Sequence, residues 1–239
     1  TNIETRTNLK VVDPLNKTYT DINEPGGQVL EADIKELENR LLSMVKANDI
    51  VVFSGKVANG MDESIVKQWS IKCKQKGARI FVDAEGTALK LAIEAQPYLI
   101  KPNLDELESV SGKKLASYEE IILECKNIIK SGVSVIVLSL GEGGVLVFNK
   151  EKQFYAKALD VHVNSTVGAG DSMMAAFAYG IYNDIDFEDV VKLSVAVSGA
   201  KVTCEGTEMP DKELVYRLLD KVRIERFVSS TNNTITEGK

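Results

Sequence analysis

From about residue 32 onward, the hydrophobic positions of the chain alternate between two patterns. Ile34, Leu37 and Leu41 recur at the spacing of one helix face. The continuous apolar run at 50–53 that follows is typical of a strand covered on both faces, as in a parallel sheet. This helix-then-strand unit repeats. We predict strands at 50–53, 79–82, 98–100 and 135–138, and helices at 63–76, 87–95, 103–110, 118–130, 171–182, 187–202 and 211–222.

Two stretches depart from this rhythm. Residues 4–12 and 17–22 read as short strands around a turn at 13–16, and 145–148 with 153–155 read as a hairpin. The alternation elsewhere predicts an α/β fold, a doubly wound α/β/α sandwich with a mostly parallel sheet. We predict one domain over 1–227 and a polar tail over 228–239.

Polar and small residues follow the predicted strands at their ends. In open α/β sheets, ligands bind beyond the carboxyl ends of the strands. The segments concerned are Ser54-Gly55, Asp83, Lys101-Pro102-Asn103 and the stretch 139–144. We therefore expect them to meet at one rim of the sheet.

Composition narrows the classes of function. Lys and Arg number 29 against 35 Asp and Glu, and the net charge of −6 disfavours nucleic-acid or membrane-surface binding. No apolar run approaches the roughly 20 residues that span a bilayer. The three cysteines have neither disulfide nor zinc spacing, so we predict buried thiols and a cytoplasmic protein. With His162 as the single histidine, and with neither HExxH nor Walker A spacing, a catalytic triad, a zincin and a P-loop are disfavoured.

The strongest chemical signal is the segment Asn164-Ser165-Thr166-Val167-Gly168-Ala169-Gly170-Asp171-Ser172, which opens an apolar helix. Its glycines allow a tight turn and close approach of the backbone to a ligand. Free N–H groups in the first helical turn, helped by the helix dipole, favour an anion. A carboxylate at Asp171 can accept a proton from an attacking hydroxyl group. The alternative is that Asp171 only caps the helix.

Residues 163–177 resemble the second signature of the PfkB, or ribokinase-like, family of carbohydrate kinases. The resemblance implies a ribokinase-like fold, with Asp171 as catalytic base. It also implies that Gly168, Ala169 and Gly170 form an anion hole for the transferred phosphoryl group, with Thr166 beside the nucleotide.

Further segments agree with this resemblance. Asn103 and Glu106 match the family's N-x-x-E motif, which implies Mg²⁺ bound through water; a helix cap is the alternative. The resemblance also implies that Lys101 and Asn103 bind the nucleotide. The stretch 139–144 resembles the family's nucleotide loop, which implies ATP binding by Ser139, Gly141, Gly143 and Gly144. The stretch 199–207 corresponds to the region near adenine and a monovalent-cation site, which suggests K⁺, but we assign no residue there.

The front of the chain indicates the branch of the family. Residues 4–10 resemble a strand that carries a sugar-phosphate-binding arginine, here Arg6, and 20–26 resemble a T-x-I-N-E-P-G stretch of bacterial 1-phosphofructokinases. The strands within about 4–24 would form part of a small β lid and a homodimer contact. Where that branch has Ser-Gly-Ser, this chain has Ser54-Gly55-Lys56. Lys56 therefore either binds the sugar phosphate in place of the second serine, through its positive charge, or indicates a different acceptor sugar.

The resemblance implies transfer of phosphate from ATP to fructose 1-phosphate, giving fructose 1,6-bisphosphate. The alternatives are a tagatose-6-phosphate kinase and a non-catalytic nucleotide- or sugar-binding protein on the same scaffold. The chain begins at Thr1 without Met, and the family's first signature is not found, so we expect that an N-terminal segment is missing or lies outside this numbering. We also expect the 239-residue polypeptide alone to be poorly soluble or inactive.

Overall fold

The computed structural model describes residues 3–13, 15 and 18–226. The strands are β1 (Asn8–Asp13), β2 (Thr18–Asn23), β3 (Ile50–Ser54), β4 (Arg79–Asp83), β5 (Leu99–Ile100), β6 (Val135–Ser139), β7 (Val145–Asn149), β8 (Gln153–Ala156) and β9 (Ile224–Arg226). The helices are α1 (Glu31–Met44), α2 (Ser64–Gln75), α3 (Gly86–Glu94), α4 (Leu104–Ser111), α5 (Tyr118–Lys130), α6 (Ala169–Tyr182), α7 (Phe187–Lys201) and α8 (Lys212–Leu219).

In the described part of the chain, the main sheet has seven strands in the order β3-β4-β5-β6-β7-β8-β9. Strands β3 to β6 are parallel, and β6 to β9 continue the sheet by antiparallel pairing. Because parallel strands end at the same edge, the carboxyl ends of β3 to β6 form one rim of the sheet. The fold-class prediction is confirmed.

Side chains on neighbouring positions of each strand enter two separate cores. Ile80 and Val82 of β4 pack into one core with α2 to α5, whereas Phe81 between them packs into the other with α6, α7 and α8. Strand β6 divides in the same way, with Ile136 on one side and Val137 on the other. This period of two explains the unbroken apolar runs, since both faces of the sheet are covered.

A two-stranded antiparallel sheet, β1 with β2, precedes the main body. The Asn59 side chain donates hydrogen bonds to the carbonyl oxygens of Pro25 at 2.6 Å and Gly26 at 3.1 Å. The Val29 N–H donates to the carbonyl oxygen of Asn59 at 2.7 Å. These bonds join the base of the hairpin to the loop that follows β3.

Sequence prediction and structure differ in places. The first strand begins at Asn8, later than the predicted 4–12, and the short strand β9 was not predicted. The predicted turn at 13–16 and the start of the second strand lie partly outside the described residues. The tail predicted over 228–239 lies wholly outside them.

Strand β3 stands at one end of the sheet, and within the described ranges its outer edge has no partner strand. An open apolar groove of about 630 Å³ runs along it between α1 and α6. Met44, Val52, Tyr179 and Tyr182 expose much of their surface there. This edge therefore combines an open strand with an exposed apolar groove.

The thiols agree with the sequence prediction in part. Cys73 and Cys125 are buried and Cys204 is half-buried, and none is in a disulfide. Burial raises the pKa of the Cys125 thiol to about 12, which makes it unreactive. No helix in the described part of the chain is long and apolar enough to cross a membrane.

Candidate active site

The strand ends assemble as the topology requires. Ser54 at the end of β3 is in register with Asp83 at the end of β4. The Lys101 N–H, just beyond β5, donates to the carbonyl oxygen of Val82 at 3.0 Å. Asn103 forms a parallel bridge with Ser139 at the end of β6. All four predicted strand-end segments thus lie along one rim.

Helix α6 points its N-terminus at this rim. Gly168, its N-cap, has a φ of 75°, a left-handed conformation that side chains larger than glycine disfavour. The Ala169 N–H donates to the carbonyl oxygen of Thr166 at 3.2 Å. For the N–H groups of Gly170 and Asp171, no acceptor is found within the described residues. The first turn of α6 therefore presents free donors and the positive end of the helix dipole.

Asp171 lies in that first turn and its side chain is exposed. The Ser54 hydroxyl is within 3.4 Å of Asp171 Oδ1, at the long end of the hydrogen-bond range, and donates to it. Among the described hydrogen bonds, the Asp171 carboxylate accepts from Ser54 and from no backbone N–H of the helix, and the side chain is open to solvent. The helix-cap alternative for Asp171 is not what the structure shows.

A buried ion pair lies behind the loop. Lys101 Nζ is 3.0 Å from Asp83 Oδ2, with side-chain exposures of 9% and 18%. Burial raises the pKa of Asp83, the ammonium of Lys101 opposes this rise, and the negative charge of Asp171 adds to it. A methyl group placed on Gly170 would lie 3.0 Å from Lys101 Nζ, so the ammonium directly adjoins the loop.

Asn103 and Glu106 form a reciprocal cap at the start of α4. The Glu106 N–H donates to Asn103 Oδ1, and the Asn103 N–H donates to Glu106 Oε2, both at 2.8 Å. Burial raises the pKa of the half-buried Glu106, and the hydrogen bond from Asn103 opposes the rise. The helix cap that the sequence offered as the alternative for Asn103 and Glu106 is therefore present. Among the residues that the structure describes, no group of three or more His, Cys, Asp or Glu could hold a metal ion.

Beside Asn103 lies a cleft of about 590 Å³, within the size range of small-molecule sites. It is lined by Asn103, Leu104, Asp105, Leu115, Ala116, Ser117, Tyr118, Ile121, Ser139, Leu140, Gly141 and Gly143. Residues Gly141–Gly143 form a single 3₁₀ turn that closes the β6–β7 hairpin, and the Tyr155 hydroxyl fixes it by donating to the carbonyl oxygen of Gly143 at 2.9 Å. Gly144, which ends the turn, has a φ of 94°.

Some residues predicted from the sequence lie apart from this cluster. Arg6 precedes β1 instead of lying on a strand, and its side chain is exposed near Gly26. Lys56 is also exposed and pairs with Glu85 at 2.9 Å. The carbonyl oxygen of Thr166 accepts the hydrogen bond from the Ala169 N–H, whereas the Thr166 side chain is exposed. Among the described contacts, none joins Arg6 to Asp171.

Two neighbours of the loop were not assigned from the sequence. Asp83 was noted only as a strand-end residue, since its pairing with Lys101 depends on the register of β4 and β5. Lys201, at the end of α7, is buried, and a methyl group on Gly168 would lie 3.1 Å from its Cε. A lysine ending a largely apolar helix was the available signal for it.

The comparisons with known proteins agree with this geometry. The model of the "pfkB family carbohydrate kinase" matches residues 2–213. The 1-phosphofructokinase of Bacillus subtilis is 31% identical over 226 residues, covering 94% of this chain and 72% of that protein.

Solved structures give the same picture. Phosphofructokinase-2 from Escherichia coli in complex with potassium superposes with a TM-score of 0.86 at 27% identity, over 92% of this chain and 71% of that one. The tetrameric inhibited form of the same enzyme gives a TM-score of 0.83 at 26% identity, over 92% and 71%. The chain thus covers about seven-tenths of these proteins.

The α/β sandwich with its glycine loop at a helix start is the architecture of a phosphotransferase that acts on sugars. The chain belongs to the pfkB family of carbohydrate kinases.

Proposed function

We propose that the chain transfers a phosphoryl group from ATP to fructose 1-phosphate, giving fructose 1,6-bisphosphate. The observation that carries this proposal is the exposed carboxylate of Asp171 at the N-terminus of α6, beside the free N–H groups of Gly170 and Asp171. A proton acceptor and an anion site are thereby held side by side, as phosphoryl transfer requires.

In the proposed reaction, Asp171 accepts the proton of the C6 hydroxyl group. The hydroxyl oxygen then forms a bond to the γ-phosphorus of ATP, and the bond to the bridging β–γ oxygen breaks, so that ADP leaves with the electron pair. Ser54, 3.4 Å from Asp171 Oδ1, holds the carboxylate towards β3.

The loop formed by Gly168, Ala169 and Gly170 supports the charge of the transferred group. Its N–H donors and the dipole of α6 act on the equatorial oxygens, and Lys101 adds a positive charge beside Gly170. The cleft lined by Asn103, Ser139, Gly141 and Gly143 would take the nucleotide, with Gly144 closing the loop and Thr166 near it.

The donor set fits Mg²⁺, which keeps several waters and takes one or two carboxylates together with phosphate oxygens. Glu106, assisted by Asn103, would hold the ion through water and stay part of the helix cap. Bound there, Mg²⁺ would offset the negative charge of the phosphates.

The acceptor would lie between this rim and the β1–β2 hairpin. Arg6, Ser54 and Lys56 are the proposed ligands of the sugar phosphate, and the polar side chains of Arg6 and Lys56 are free to move because they are exposed. Lys56 would have to leave Glu85 to reach the ligand, which is inexpensive for an exposed pair.

We propose a homodimer through the hairpin as a separate feature. Leu9 and Ile22 form a cross-strand pair, and both are exposed together with Val11. The tetramer of the Escherichia coli enzyme supports self-association in this family. Potassium is present in the other Escherichia coli structure. In this chain the stretch 199–207, which resembles the family's monovalent-cation region, contains the buried Lys201.

Turnover on a panel of sugar phosphates tests the proposed substrate. We expect kcat/KM for fructose 1-phosphate to exceed that for tagatose 6-phosphate and for fructose 6-phosphate by at least about tenfold, since a site built for one phosphate position rejects the others. A higher value for tagatose 6-phosphate would replace the proposed substrate and keep the chemistry. ATP binding without transfer to any sugar phosphate would favour the non-catalytic alternative.

A further inference from the structure

Two lysines are the only buried charged side chains in the described part of the chain, and both adjoin the glycine loop. Lys101 lies against Gly170 and Lys201 against Gly168. Only Lys101 has a counter-charge, the carboxylate of Asp83. No carboxylate within the described ranges pairs with Lys201, which is 3% exposed.

A buried charge without a counter-charge destabilises a protein unless a ligand or a set of dipoles compensates it. Within the described residues, the Lys201 ammonium donates a hydrogen bond to the carbonyl oxygen of Gly206, at 2.8 Å. Lys201 also ends α7, where the negative end of the helix dipole favours a cation. Both compensations are partial, and the Lys201 side chain passes Gly168 of the neighbouring loop at its Cε.

The segment that carries Lys201 is fastened to the loop. The Asn164 N–H donates to the carbonyl oxygen of Val202 at 2.8 Å, and the Asn164 side chain donates to that of Thr203 at 2.7 Å. The Cys204 N–H donates to the carbonyl oxygen of Lys201 itself at 3.1 Å. These hydrogen bonds hold Lys201 at a fixed position beside the glycine loop. Its ammonium can therefore support an anion bound by the N–H groups of that loop.

Backbone carbonyl oxygens are the ligands that K⁺ takes from proteins. Here the Gly206 carbonyl oxygen already accepts from an ammonium group of the same charge. A potassium ion in the same place would lose that ligand and be repelled by the ammonium. The residues present between Gly168 and Gly206 thus do not fit an exchangeable monovalent cation.

We propose that the Lys201 ammonium is a built-in monovalent cation, which supports the anion site of Gly168, Ala169 and Gly170 and makes nucleotide binding independent of K⁺. The proposal rests on the proposed function, because the anion is taken to be a nucleotide phosphate. It differs from a purely structural role for Lys201 by predicting that an external cation can substitute for the side chain.

The test measures MgADP binding by titration calorimetry in potassium, sodium and choline chloride at equal ionic strength. For the wild-type chain we expect dissociation constants that agree within about twofold in the three salts. For Lys201→Met we expect binding weakened by at least about tenfold in sodium and choline, as for loss of one charged contact, with recovery in potassium. Lys130→Met is the matched control, because Lys130 also ends a helix but is exposed.

Three results would overturn the proposal. They are a wild-type affinity that rises about tenfold on adding potassium, a Lys201→Met protein that binds as the wild type does in every salt, and a loss in Lys201→Met that potassium does not restore. If Lys201→Met does not fold, the wild-type comparison alone decides. MgADP binding by the wild type in none of the salts would overturn the proposed function itself, and the role of Lys201 with it.

Discussion

At the scale of single residues, two carboxyl groups at the rim are held in surroundings that favour their protonated forms. Burial raises the pKa of Asp83 above its ordinary value of 3.8 and that of Glu106 above 4.5. The folded state therefore binds these protons more tightly than the unfolded state does. Their contribution to stability is complete below the ordinary values and is lost as the pH rises through the raised ones.

Glu106→Gln separates the helix cap from the proposed metal site. Glutamine can still accept the hydrogen bond from the Asn103 N–H, so we expect the free energy of unfolding at neutral pH to stay within about 0.5 kcal/mol of wild type or to rise. In wild type, the raised pKa of Glu106 makes the free energy of unfolding fall as the pH rises, and in Glu106→Gln this part of the fall should be absent. Urea unfolding across pH 4 to 8 measures both effects on the same samples.

The same variant should weaken Mg²⁺-dependent nucleotide binding by about tenfold, since one charged ligand of the proposed ion is lost. Glu106→Ala is the control for the cap, and it should destabilise by about 1 kcal/mol. Normal MgADP affinity in Glu106→Gln would remove Glu106 from the metal site and leave only its role in the cap.

Part of the candidate site could be predicted from the sequence at the scale of single residues. Asp171, Lys101 and Asn103 could be placed at one rim because each follows a strand end or opens a helix. The Asp83 pairing needed the register of two strands, and Lys201 needed the packing of α7 against the glycine loop. Neither distance follows from spacing along the chain. The position of Arg6 relative to the rim depends on the orientation of the β1–β2 hairpin against the main sheet. The local sequence pattern does not determine that orientation.

At the scale of elements, the crossing of α6 and α7 depends on one glycine. A methyl group on Gly180 would lie 2.4 Å from Val190 Cγ2, and Val190 is fully buried. A contact this close forces the two helices apart. The start of α6, which carries Asp171, would move with them.

We expect Gly180→Ala to lower the free energy of unfolding by about 1–3 kcal/mol, as for other overpacked cores. Chemical denaturation of Gly180→Ala, Val190→Ala and the double variant measures it as a cycle. Because Val190→Ala removes the clashing carbons, the double variant should lose less stability than the two single changes added together. Full additivity would mean that the crossing is not the cause.

The longer elements could be predicted because each is long enough to show its period. Helices α5, α6 and α7 carry apolar residues over several turns, and strands β4, β6 and β7 are unbroken apolar runs. Strand β9 has three residues, two of them exposed, so no period is visible. Strand β1 begins at Asn8, which pairs with Asn23, and within the described residues no strand pairs with 4–7.

At the scale of the molecule, the open edge of β3 is where we expect the chain to associate with other copies of itself. Within the described residues its outer side has no partner strand, and Val52, Met44, Tyr179 and Tyr182 are exposed beside it. Such edges pair with other chains unless a charge or a cover blocks them. This agrees with the sequence-based prediction of poor solubility, which stays a prediction.

We expect Val52→Lys to reduce self-association of the 239-residue chain, because a lysine on the edge disfavours pairing of two strands. Val52 is 41% exposed, so the change should leave the fold intact. Sedimentation velocity at several concentrations measures the effect. Leu123→Lys is the control, since Leu123 is exposed on α5, away from the groove. Equal association in both variants would show that the edge is not the contact.

The measurement that tests the account most directly is ADP release by the wild type and by Asp171→Asn, with MgATP and fructose 1-phosphate. Because low activity is expected of this polypeptide, the assay should be run at high protein concentration, with Asp160→Asn as a control for an exposed loop carboxylate. The account predicts that Asp171→Asn lowers turnover by at least about 10²-fold, the lower limit for loss of a general base. ADP release that is clearly above background in the wild type and equally fast in Asp171→Asn would contradict it.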